Sequence, residues 1–132
     1  MKKTGLLNKD LSEVIAGMGH RDLLVIADAG LPIPSGVRRI DLAVRPGLPG
    51  FIDVLQAVLG ELRVEEAVVA SEMDERSPHV LARLRQALGE EVPINSTIHE
   101  NFKLQTARAR AVVRTGEFTP YANVILIAGV MF

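Results

Sequence analysis

Residues 19–32 read Gly19-His20-Arg21-Asp22-Leu23-Leu24-Val25-Ile26-Ala27-Asp28-Ala29-Gly30-Leu31-Pro32. A histidine follows a glycine, an apolar run spans Leu23 to Ala27, and an aspartate ends it. The run is short, continuous and partly β-branched, as expected of a strand buried on both faces. Gly30 and Pro32 do not continue a strand easily. Asp28 then stands at the strand's carboxyl end, where open α/β sheets bind their ligands. Taken alone, the stretch reads more simply as a core strand followed by a loop with a polar first residue.

Upstream, Asn8 is a candidate N-cap for a first helix. Leu11, Val14, Ile15 and Met18 recur at helical spacing. Gly17 and Gly19 close that helix, with Gly19 in the position that tolerates left-handed geometry. His20 is thus held in a tight helix-to-strand turn. It reads as either a cap for free helix carbonyls or a functional group.

Downstream, residues 29–37 are too rich in Pro and Gly to be regular. Arg39 to Val44 alternates as a second strand, and a helix is expected from about Phe51 to Leu62. Glu66 to Ala70 is a valine-rich third strand, and Ser71 to Ser77 reads as a polar loop. A helix from Pro78 to Leu88 ends at Gly89, and Val92 to Asn95 reads as a short strand. Thr97 to Ala109 reads as a helix with Thr97 and Glu100 at capping-box spacing. His99 and Lys103 are four apart and share a face. Ala111 to Arg114 and Val124 to Ala128 are the last strands. Tyr121 and Asn123 alternate, so both can point to one side as the final strand begins. Val130, Met131 and Phe132 are expected to pack in the core or against another subunit, core packing being the commoner outcome. His79 reads as a solvated surface histidine.

Strands alternating with helices give one α/β domain over residues 1–132, with three α/β/α layers and a mixed, mostly parallel sheet. Apolar residues are 48% of the 132-residue chain, which argues against disorder. The net charge of −1 makes no electrostatic case for nucleic acid or an anionic membrane. No long uncharged apolar run offers a membrane span, and the start lacks the apolar core of a signal peptide. A soluble cytoplasmic protein is the expectation. The chain has no cysteine, which excludes disulfides, thiol catalysis and thiolate metal sites. No phosphate-binding lysine loop or GxSxG elbow occurs. His20, His79, His99, Tyr121 and the carboxylates remain, an inventory suited to acid/base chemistry.

Three blocks in order resemble a known family: GHRDLLVIADAGLP at 19–32, the His99-Glu100-Asn101-Phe102-Lys103 helix start, and RTGEFTPYAN at 114–123. The chain is similar to the ribose pyranase and fucose mutarotase family, from its MKKTG opening to its Gly129-Val130 ending. The stretch from about Leu55 to Asn95 carries little of the likeness. Gly30-Leu31-Pro32 and Phe118 to Asn123 place it on the ribose side. The resemblance implies an enzyme that interconverts the pyranose and furanose rings of free D-ribose, with no cofactor and no metal. It implies His20 as proton donor and Asp28, His99, Tyr121 and Asn123 as sugar contacts. Lys103 matches a further pocket residue, and Tyr121-Ala122-Asn123 the backbone segment that lines the sugar. It also implies a ring-like homo-oligomer, usually a decamer.

Opening a hemiacetal and closing it through another hydroxyl needs one proton taken and one given, with no covalent intermediate. A histidine can do either near neutrality. Asp28 and Asn123 suit a polyol. His20 and Asp28, however, sit at opposite ends of one strand, up to roughly 26 Å apart at about 3.3 Å per residue. One sugar cannot span that, so His20 is expected to reach the Asp28 pocket of a neighbouring subunit. The rivals are an L-fucose-type mutarotase, a non-catalytic sugar-binding module and a purely structural oligomer.

Overall fold

The computed structural model describes residues 1–132. Helix α1 (Lys9–Ala16) begins where the Asn8 side-chain oxygen accepts the Leu11 N–H at 2.9 Å. Six strands follow: β1 (Leu23–Ala27), β2 (Arg38–Asp41), β3 (Val64–Ala70), β4 (Ile94–Thr97), β5 (Ala111–Arg114) and β6 (Val124–Ala128). They form one sheet in the order β2-β5-β1-β6-β3-β4. Only β6 runs against its neighbours. The expected α/β class with a mixed, mostly parallel sheet is what the chain adopts.

The antiparallel β6 positions the site. Val124 pairs with Ile26, so the entry of β6 lies beside the exit of β1. Leu24, Val25 and Ile26 are fully buried. Each such side chain contributes about 1.5–3 kcal/mol, so β1 is a fixed spacer rather than a segment that can fold back on itself.

Helices cover the two faces unequally. Helices α1, α2 (Phe51–Leu59), α3 (Glu72–Arg76) and α4 (Pro78–Leu88) contribute to a 25-residue apolar cluster on one face. The other face holds a cluster of eight buried residues, capped by Phe102 of α5 (His99–Thr106) and Leu31 of the loop after β1. No helix is long and apolar enough to cross a membrane.

The structure departs from the sequence reading in local detail. Residues 72–76 form α3 rather than a loop. Three acidic residues in its first turn suit the positive end of a helix, and Met73 anchors it in the core. Strand β2 stops at Asp41, where the Asp41 carboxylate accepts the Ala43 N–H and turns the chain away. Helix α2 ends at Leu59 because Gly60 caps it. Strand β3 begins earlier, at Val64, and β4 lies two residues later than expected.

The left-handed residue in the turn before β1 is Arg21, with φ 69°, not Gly19. Gly19 instead donates its N–H to Asp22 at 2.8 Å. Met131 and Phe132 are exposed, not in the core. Backbone pairing ends at Gly129, whose N–H donates to the Arg63 carbonyl at 2.9 Å. His79 is exposed, as expected.

Candidate active site

Asp28 follows the last residue of β1 and Asn123 precedes the first of β6. The Asp28 N–H donates to the Asn123 side-chain oxygen at 2.8 Å, and Asn123 Nδ2 donates to Asp28 Oδ2 at 2.9 Å. Gly30 N–H donates to Asp28 Oδ1 at 3.0 Å. Asn123 is fully buried. It holds the Asp28 carboxylate in place, and Asp28 is the group that opens to solvent beside it. A depression of about 370 Å³ lies there, with Asp28 and Gly30 on one side and Arg114, Glu117 and the Phe118–Pro120 segment on the other.

The walls are tied down by residues the sequence reading did not single out. The buried Thr115 hydroxyl donates to the Ala27 carbonyl at 2.7 Å. Arg114 Nε donates to the Ala29 carbonyl at 3.0 Å, and its Nη1 pairs with Asp41. Gly116 lies so close to the 45–48 turn that a Cβ would meet the Leu48 carbonyl and come 2.7 Å from the Arg45 oxygen. Glu117 accepts from Phe51 N–H at 3.1 Å and from the Thr119 hydroxyl at 2.9 Å. It thus caps α2, whose N-cap Gly50 has no side chain, and fixes the loop that leads to Tyr121.

Burial pushes the Glu117 carboxyl up, but the Phe51 and Thr119 donors outweigh it and hold the group below the usual carboxylate range. A folded-state value below the unfolded one adds stability that is complete above about pH 5 and lost as pH falls below about 4. Glu117→Gln sets an amide donor against one of these donors. It is expected to cost about 1–2 kcal/mol at neutral pH, read from urea midpoints. The gap to wild type should close on acidification, and a pH-independent gap would remove the charge from the account.

A second set lies beyond β6 from Asp28. The Tyr121 ring meets the His99 ring edge-on, with centroids 5.1 Å apart at 88°. His99 stacks on the buried Phe102 at 6.2 Å. Its Nδ1 is buried and has no hydrogen-bond partner within the chain. Lys103 pairs with Glu100 at 2.7 Å and is partly buried.

Two sequence expectations change here. Tyr121 is left-handed, with φ 61°, and the Asn123 N–H donates to the Tyr121 carbonyl at 2.8 Å. Strand alternation does not apply across that turn: Asn123 reaches Asp28 while Tyr121 reaches His99. Thr97 does not cap α5, because it belongs to β4 and pairs with Ala70. Glu72 caps it instead, with both carboxylate oxygens 3.0 Å from the His99 N–H. Burial pushes the Glu72 carboxyl up, while its own amide and that of His99 bring it below the ordinary range.

His20 is at the other end of the sheet. The adjoining Arg21 N–H donates to the carbonyl of Ala128, the last residue of β6. Its Nε2 lies 3.1 and 3.2 Å from the two oxygens of Glu65. The structure therefore brings Asp28, Ala122, Asn123, Tyr121, His99 and Lys103 to the carboxyl end of the parallel strands and leaves His20 a strand's length away.

The comparisons with known proteins agree with this architecture. The chain is similar to the D-ribose pyranase of Symbiobacterium thermophilum, 64% identical over 132 residues that span the whole of both chains. It is similar to the structure of Bacillus subtilis RbsD complexed with D-ribose, 49% identical over the full length of both, with a TM-score of 0.96. The fucose mutarotase of Streptococcus pneumoniae, complexed with L-fucose, is 24% identical with a TM-score of 0.79, covering 99% of this chain and all of that one. That likeness shows the fold alone. The pattern of the RbsD / FucU transport protein family matches residues 1–131. With the antiparallel β6 joining Asp28 to Asn123 and full-length relatives at this identity, the chain belongs to the RbsD / FucU transport protein family.

Proposed function

We propose that this chain is an isomerase that interconverts the β-pyranose and β-furanose forms of free D-ribose. The geometry supports a polyol site: a fixed carboxylate at Asp28, and an imidazole and an aromatic ring that meet edge-on at His99 and Tyr121. The observation that carries the reaction is the full-length, 64% identity to a D-ribose pyranase.

In this reading Asp28 accepts from sugar hydroxyls, held by Asn123. The His99 imidazole and the Tyr121 hydroxyl take further hydroxyls, and the 121–123 backbone lines the ring. Lys103 turns from Glu100 to orient one oxygen. His20 donates its proton to the ring oxygen as water takes the proton of the anomeric hydroxyl, and the reverse transfers on closure restore His20. The open aldehyde then closes through a different hydroxyl. No cofactor or metal enters any step, and general acid/base help of this kind gives about 10²–10⁴-fold.

The His20 in each pocket comes from a neighbouring subunit. What supports this is distance: β1 has five residues, about 16 Å at its usual rise, and a pentose is much shorter. The fuller reading is a cytoplasmic, ring-like homodecamer.

The test is NMR exchange between the ring forms of ribose, with and without the protein. The expected result is faster pyranose–furanose exchange for wild type, with L-fucose accelerated far less. Protein shift changes without faster exchange would instead identify a sugar-binding module.

A further inference from the structure

The three blocks that resemble the family do not include residue 65, yet the structure sets Glu65 against His20. Strand β3 pairs with β6 through Val64 and Ala128, then Glu66 and Ile127. Two steps on β3 thus match one on β6, and Glu65 is the extra residue of a β-bulge. In a regular strand Glu65 and Glu66 would face opposite sides of the sheet. Here both reach one guanidinium: Arg21 Nη1 lies 2.9 Å from Glu65 Oε1 and 2.9 Å from Glu66 Oε2. The bulge has turned the Glu65 carboxylate towards the 19–22 turn.

Two further features serve the same contact. Arg21 holds a left-handed φ of 69°, a costly conformation for a residue with a Cβ. Gly129 lies against Glu65: a Cβ there would come 3.1 Å from Glu65 Cβ and 3.4 Å from Oε2. The hydrogen bond from Arg21, then that from His20, holds the Glu65 carboxyl below its usual range. It is a carboxylate, and a carboxylate can only accept.

We infer that Glu65 is a positioning residue for His20: it accepts the Nε2–H, fixes the ring's orientation and the tautomer of its neutral form, and leaves Nδ1 as the atom whose proton, carried in the imidazolium form that Glu65 stabilises, passes to the ring oxygen. The inference rests on the ribose reading above. Arg21 in turn fixes Glu65, so the bulge, the strained turn and Gly129 form one support for one imidazole. Glu65 touches no sugar in this arrangement, so its removal acts on the chemical step rather than on binding.

The experiment uses the intact assembly, with wild type, Glu65→Ala, Glu65→Gln and Gly129→Ala. Glu65→Ala is expected to lower kcat roughly 10- to 100-fold, with KM within about twofold of wild type. Glu65→Gln keeps an acceptor oxygen of the same reach and should recover most of that loss. Gly129→Ala, which keeps Glu65 but crowds it, should fall between. ¹⁵N spectra of the His20 ring supply a readout that a merely structural role does not move. Wild type and Glu65→Gln should show Nε2 protonated in the neutral ring, and Glu65→Ala a mixture of tautomers. Wild-type kcat in Glu65→Ala, a loss confined to KM, or an unchanged tautomer overturns the inference. Failure of wild type itself to speed ring exchange overturns the ribose reading instead, and the ¹⁵N arm still decides the Glu65–His20 pair.

Discussion

Mixing His20→Ala protein with Asp28→Ala protein, after dissociation and reassembly, is expected to restore activity that neither variant shows alone. Each variant by itself loses one half of every site. His20→Ala removes the proposed proton donor, and Asp28→Ala removes the carboxylate that Asn123 and Gly30 hold. If a site takes His20 from one subunit and Asp28 from its neighbour, a random equal mixture makes sites of four kinds. Roughly a quarter of them have both groups intact. The regained rate should therefore approach one quarter of wild type, well above two proteins that each fall about 10²-fold or more. A pocket built within one chain contains one lesion in every subunit, and mixing then returns nothing. The buried β1 strand makes the intrachain alternative costly, because bringing His20 to Asp28 would require unpacking Leu24, Val25 and Ile26.

Asn123→Asp should disable the protein more severely than its size suggests. The substitution preserves shape and still accepts the Asp28 N–H. It converts the Asn123 Nδ2 donor, 2.9 Å from Asp28 Oδ2, into a second carboxylate oxygen. Two carboxylates at that separation, one of them at a fully buried position, repel strongly. The expected cost is about 3 kcal/mol or more at neutral pH, with ring exchange lost because Asp28 no longer holds its place. A proton shared between the two rebuilds a hydrogen bond. The folded mutant therefore binds that proton more tightly than the unfolded chain. Its lost stability returns at low pH and disappears again as pH rises. Urea midpoints of mutant and wild type across pH 4 to 8 check this, since lesions common to both cancel. A gap that stays constant with pH would show that the pair is held by shape rather than by charge.

The main elements were legible because they are local. A five-residue, partly β-branched apolar run between Asp22 and Asp28 reads as a buried strand, and β1 has the expected bounds. Asn8 caps α1 and Gly89 ends α4 as their types require. The errors share one cause. Thr97 has the local spacing of a cap, but strand pairing with Ala70 took it, and Glu72 from another segment filled the role. Residues 72–76 are polar enough for a loop, but the buried Met73 holds them as a helix. The apolar end of the chain reads as material for the core or for another subunit, and within this chain Met131 and Phe132 stay exposed.

The candidate site divides the same way. Residue types and the length of β1 were enough to set His20 and Asp28 at opposite ends of one strand, too far apart for one pentose to span, because a strand's rise per residue is set by covalent geometry. Only the tertiary structure decided what each of them meets. The antiparallel entry of β6 brings Asn123 to Asp28 across 95 positions of sequence. The bulge in β3 brings Glu65 to His20 across 45. Such pairings follow from strand direction and register, which arise from the packing of the whole sheet and leave no signature in the residues on either side.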